Sequence, residues 1–110
     1  MLTWSAPAIY LFRGAADMRQ SFDGLSALVE RAFPGALLSG SWFVFVNRRR
    51  TLVKVLCWQE DGLTIWAKRL EAGTFRVTGA GSTRLSRREL MLLLEGVSPR
   101  RLHRRYRVGG

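Results

Sequence analysis

Cationic side chains are the residues of this chain whose type and spacing could do chemistry. Arg48, Arg49 and Arg50 stand consecutively after Asn47, Lys54 lies inside an apolar run, and Lys68 and Arg69 close another. A second group, Arg100, Arg101, Arg104 and Arg105, follows Pro99, with Leu102 and Tyr106 interleaved at helical spacing. Guanidinium and ammonium groups gathered this way neutralise phosphates, and arginine can also read guanine bidentately. Over the whole chain, 18 Lys and Arg against 8 Asp and Glu give a net charge of +10. Such an excess favours a polyanionic partner.

The other reactive side chains are poorly placed for catalysis or metal binding. Asp17, Asp23, Glu30, Glu60, Asp61, Glu71, Glu89 and Glu95 fall at expected helix caps, helix surfaces and turns. Metal-dependent strand transfer typically needs acidic residues gathered around divalent ions, and here no two stand side by side on an expected strand. One Cys, Cys57, and one His, His103, make neither an internal disulfide nor a conventional zinc site. Cys57 sits beside Trp58 in an apolar run and is expected to be a small buried side chain. The expectation is no catalytic residue, no metal and no cofactor.

The elements that must position the cations centre on residues 42–70. Three apolar, β-branched and aromatic runs, 42–46, 52–58 and 63–70, are separated by short polar links at 47–51 and 59–62. This predicts an antiparallel meander, with Asn47 and Gly62 suited to the positive φ of tight reversals. Residues 42–46 are apolar throughout, the mark of a central or doubly covered strand. In 63–70, Leu63, Ile65 and Ala67 face one way and Thr64, Trp66 and Lys68 the other. One sheet face is expected to carry cations beside Trp58 and Trp66.

Before the meander, residues 9–12 read as a short strand. Met18, Phe22, Leu25, Val29 and Ala32, at spacings of four, three, four and three, predict a helix over 18–33. Asp17 and Gln20 suggest its capping box, Pro34-Gly35 its end. Gly24 in mid-helix suggests a close approach of the helix to the sheet. After the meander, 74–78 is expected to add a strand. Ser86 and Glu89 form a capping box that opens a helix over 87–95, stopped by Gly96. Leu90, Leu93 and Leu94 form its inner face, while Met91 and Leu92 make it apolar nearly all round.

The fold expected is α+β, a mainly antiparallel sheet of four to five strands with two helices in the order β-α-β-β-β-β-α. Helices on one face would leave the other for the basic surface. One domain spans residues 1–98, and 99–110 form a basic tail. No run reaches the length of a membrane span and the N-terminus lacks a basic n-region before an apolar stretch, so the expected location is the cytoplasm, away from membranes.

The stretch Phe43, Val44, Phe45, Asn47, Arg48, Arg49, Lys54, Trp58, Asp61, Gly62, Trp66, Lys68, Arg69, Leu70 and Glu71 resembles the signature of the small TnpB-type accessory proteins of the insertion-sequence 66 family of bacterial transposons. The string from Asp17 to Leu25 resembles the family too, although Gln20 stands where the family often has Lys. Val77-Thr78 stands where it commonly has Trp-Pro. The resemblance implies a protein that accompanies a separate, larger transposase in transposition, and the placement of the acids, Cys57 and His103 makes the expected role non-catalytic. Two functions remain open at this point. One is DNA binding, with transposon ends as ligand, through Asn47, Arg48, Arg49, Arg50, Lys54, Lys68, Arg69, Arg100, Arg101, Arg104 and Arg105. The other is a protein adaptor that docks on the transposase or a sister accessory protein. RNA or single-strand binding is a weaker third reading.

Overall fold

The computed structural model describes residues 8–12, 19–77 and 84–96. Four strands, β1 (Ile9–Phe12), β2 (Trp42–Val46), β3 (Leu52–Gln59) and β4 (Gly62–Arg69), lie side by side in sequence order. Helix α1 (Phe22–Ala32) and a short 3-10 turn (Leu37–Ser39) link β1 to β2, and helix α2 (Arg87–Glu95) follows the sheet. The architecture is α+β as expected, but the sheet is mixed. β2–β3 and β3–β4 are antiparallel, whereas β1 runs parallel to β2. A helix between two neighbouring strands carries the chain back to the starting edge, and the second strand then repeats the direction of the first.

Alternation along the strands divides the core in two. Trp42, Val44 and Val46 join Ile9, Leu11, Val53, Val55 and Cys57 on one face, where Leu90 and Leu93 of α2 cover them. Phe43 and Phe45 join Leu56 on the other, beneath Leu25 and Val29 of α1. The helices therefore occupy opposite faces, and among the described residues neither face is left without a helix for a basic surface. All five β2 residues are buried, as a doubly covered strand must be. Tyr10 and Phe12 extend the α1 face in aromatic contacts, with Phe12 stacked on Phe45 at 4.6 Å between ring centroids.

Several local expectations shift. Helix α1 begins at Phe22 with Ser21 at its N-cap, and Ser21 makes no side-chain capping bond; Asp17 and Met18 lie outside the described residues. Its buried residues are Leu25 and Val29, and Phe22 is exposed. Gly24 makes room for a neighbour on its own chain: a Cβ there would stand 2.8 Å from the Gln20 side chain. The expected strand at 74–78 reduces to a bridge at Thr74 among the described residues. Instead, the Phe75 N–H donates to the Arg50 carbonyl at 2.7 Å, and its ring is buried in the α2-face core. Positive φ falls on Arg50 (60°) and Glu60 (56°), not on Asn47 or Gly62.

Helix α2 has the expected bounds and a complete capping box. The Glu89 N–H donates to Ser86 Oγ at 3.0 Å, and the Ser86 N–H to Glu89 Oε1 at 2.8 Å. Gly96 ends the helix at φ 75°, where a Cβ would stand 2.9 Å from Leu70 Cδ1. Glycine is needed there both for its backbone and for the close contact.

Candidate nucleic-acid interface

Strand directions decide where the cations gather. β2 runs into the turn at 47–51 and β3 runs out of it, with Val46 opposite Val53. β4 ends at the same level, with Lys68 opposite Val53 and Arg69 opposite Leu52. One end of the sheet thus holds Arg48, Arg49, Arg50, Lys68 and Arg69. The acidic turn at Glu60 and Asp61 lies at the other end, between β3 and β4.

Asn47 builds the turn that presents the arginines. Its Oδ1 accepts from the N–H groups of Thr51 at 2.8 Å and Leu52 at 3.0 Å, and its Nδ2 donates to Thr51 Oγ1 at 3.1 Å. Its carbonyl accepts from the Arg50 N–H at 3.0 Å, and its own N–H donates to the Leu52 carbonyl at 3.0 Å. An Asn side chain that mimics backbone in this way fixes a reversal without glycine. The turn is also held from outside, by Leu70 N–H on the Thr51 carbonyl and Phe75 N–H on the Arg50 carbonyl. Arg48, Arg49 and Arg50 are exposed on this braced loop. Arg69 is exposed as well, and its Nε lies 3.9 Å from Glu71 Oε2. An ion pair so long and so solvated contributes little and leaves the guanidinium available.

Lys54 and Lys68 differ from the arginines. They lie on opposite faces, Lys54 with Trp58 toward α1 and Lys68 with Trp66 toward α2, so the expected grouping of cations with both tryptophans on one face does not form. Both lysines are half-buried. Lys54 Nζ donates to the Gln20 carbonyl at 2.9 Å, tying the chain that enters α1 to the sheet. Lys68 Nζ donates to the Leu94 carbonyl at 2.9 Å. That carbonyl belongs to the last turn of α2, where no helical donor is available and the helix dipole is negative. Through these bonds the two lysines fix both helices to the basic end.

Arg19 and Arg76 were not among the cations that the sequence assigned to the site. Arg19 precedes the carbonyl that Lys54 grips, and Arg76 follows Phe75, which is bonded to the Arg50 carbonyl. The signal for Arg76 was Phe75, a single large apolar residue that reads as part of a strand but acts as an anchor. Arg100, Arg101, Arg104 and Arg105 lie outside the described residues. Gly96, against Leu70, places the end of α2 at the basic end of the sheet.

Among the described residues, no three His, Cys, Asp or Glu side chains gather closely enough to hold a metal ion. No helix among them is long and apolar enough to cross a membrane. Cys57 is fully buried, and burial pushes its thiol above the ordinary value.

Fold and site define a small, basic α+β protein with an arginine turn braced at one end of a mixed sheet. The family described as IS66 Orf2 like protein matches residues 7–104, and the chain belongs to it. The chain is also similar to the uncharacterized protein y4hO of Sinorhizobium fredii, with 32% identity over 91 residues, 81% of this chain and 79% of the relative. No solved structure matches. Membership implies an accessory role in the transposition of an insertion-sequence 66 element.

Proposed function

We propose that this protein binds duplex DNA, with the ends of its transposon as the ligand, and that it assists a separate transposase without catalysing strand transfer. The observation that carries this reading is the convergence of Arg48, Arg49, Arg50 and Arg69, all exposed, at one end of the sheet. Asn47 fixes the backbone of the turn beforehand, so that chiefly the arginine side chains remain to be ordered on binding. A two-stranded hairpin fits the major groove, where arginine can contact both phosphates and guanine edges. Lys54 and Lys68 add positive potential while holding the helices. Arg100, Arg101, Arg104 and Arg105 would extend the footprint along the phosphate backbone.

The test is fluorescence-anisotropy binding to labelled duplexes carrying the terminal repeat or a shuffled sequence, with the wild type and with Arg48, Arg49 and Arg50 all changed to Ala. Binding that weakens in the triple variant supports the hairpin as the contact, and preference for the repeat makes the protein an end-recognition factor. No binding by the wild type at low salt overturns the reading.

A second reading, a protein adaptor, draws on Met91 and Leu92 of α2, neighbouring apolar side chains each 52% exposed. An adaptor that does not touch DNA would bind the transposase with little dependence on salt. Its contact would be lost when Met91 and Leu92 are changed to polar residues, and unaffected by the arginine substitutions.

A further inference from the structure

The two edges of the sheet are treated differently. Along β1, Tyr10 bridges to Arg84 and the Leu85 N–H donates to the Ile9 carbonyl at 2.9 Å, so the chain leading into α2 covers that edge. Along β4, no strand among the described residues pairs with the outer side. That edge runs for eight residues in unbroken register with β3, without a bulge or a proline. Its lysine and arginine stand only at the last two positions. Natural sheets usually guard such an edge with charge, proline or a bulge. Here residues 62–67 carry none of these.

The open hydrogen-bonding groups can be assigned. Leu70 directs its N–H toward the β3 side, to the Thr51 carbonyl. By the period of two, Lys68, Trp66 and Thr64 also point inward, and Leu63, Ile65, Ala67 and Arg69 present their N–H and carbonyl groups outward.

We infer that the β4 edge pairs antiparallel with β4 of a second copy of this chain, about a two-fold axis at Ile65, to give a continuous eight-stranded sheet. Hydrogen-bonded pairs must join outward-pointing residues on both strands, which restricts the registers to alternate positions. With Ile65 opposite Ile65, Leu63 meets Ala67 and Ala67 meets Leu63, and each of these pairs exchanges two backbone hydrogen bonds. Arg69 of each copy then lies opposite Asp61 of the other, with Glu60 one position further. A neighbouring register, with Trp66 opposite Trp66, sets Asp61 against Glu71 and is disfavoured by like charge. The acidic turn at one end of β4 and the cations at the other make the edge complementary to itself in the antiparallel sense, as a two-fold interface demands. The two arginine turns would stand at opposite ends of the joined sheet. This pairing does not depend on the nucleic-acid reading and can fail without it.

Sedimentation equilibrium of the full chain over a wide concentration range tests the inference. The wild type is expected to approach twice the chain mass as concentration rises. Ala67→Pro removes an outward N–H from an exposed position without touching the bonds to β3 and should weaken self-association by about tenfold or more. Asp61→Arg should weaken it as well, and adding Arg69→Asp to that variant should restore it. Far-UV circular dichroism and the urea midpoint establish that each variant is folded. If Ala67→Pro does not fold, the Asp61 and Arg69 pair carries the test alone. A wild type that remains monomeric throughout, or one whose dimer is unaffected by these changes, overturns the inference and leaves the edge to a foreign strand.

Discussion

Replacing Asn47 by Ala separates the scaffold of the basic turn from its charge. The substitution deletes three side-chain hydrogen bonds, to the N–H groups of Thr51 and Leu52 and to Thr51 Oγ1. A hydrogen bond of this kind contributes roughly 0.5–1.5 kcal/mol net. The turn is half-exposed, so water takes up part of the loss, and the expected destabilisation is about 1–3 kcal/mol in urea unfolding. For a domain of this size that lowers Tm by roughly 5–15 °C. Asn47→Asp keeps the oxygen that accepts from two backbone N–H groups and should recover most of the stability. In DNA binding, Asn47→Ala should weaken affinity while leaving the salt slope close to that of the wild type. The same guanidinium groups meet the same phosphates but must first be ordered. A stability loss below about 0.5 kcal/mol would refute the claim that this side chain holds the turn.

Two further substitutions test neighbouring parts of the account. Arg50 adopts φ 60°, a region that favours glycine, so Arg50→Gly should raise stability by about 0.5–1 kcal/mol while removing one phosphate contact; the urea midpoint and the salt slope read the two effects separately. Lys68→Met keeps the aliphatic stem but leaves the Leu94 carbonyl without its donor, and should cost about 1–2 kcal/mol with faster amide exchange in the last turn of α2.

Local chemistry was legible in the sequence where it is self-contained. The capping box of Ser86 and Glu89 lies within four consecutive residues, and α2 forms with the bounds that box predicts. The apolar run at 42–46 read as a central or doubly covered strand, which it is, and the alternation in 63–70 assigned its faces. Partners remote in sequence were not legible. The bonds of Lys54 and Lys68 to backbone carbonyls could not be foreseen, because those carbonyls belong to Gln20 and Leu94, 34 and 26 positions away. The parallel pairing of β1 and the placing of helices on both faces depend on how the crossover packs, which no window of sequence displays. Gly24 illustrates the same limit at short range: its space is filled by Gln20, four residues earlier, and not by the sheet. Arg50 rather than Asn47 takes the positive φ because Asn47 acts through its side chain.

The most direct test of the central claim is the salt dependence of duplex binding by the wild type and by the variant with Arg48, Arg49 and Arg50 changed to Ala. Each phosphate neutralised contributes about 0.9 to the slope of log affinity against log salt, so three arginines account for as much as about 2.7. The account predicts a steep wild-type slope that falls by up to that amount in the triple variant, with the unfolding midpoint unchanged. Equal slopes for the two proteins would contradict it, because the basic turn would then make no contact with the DNA backbone.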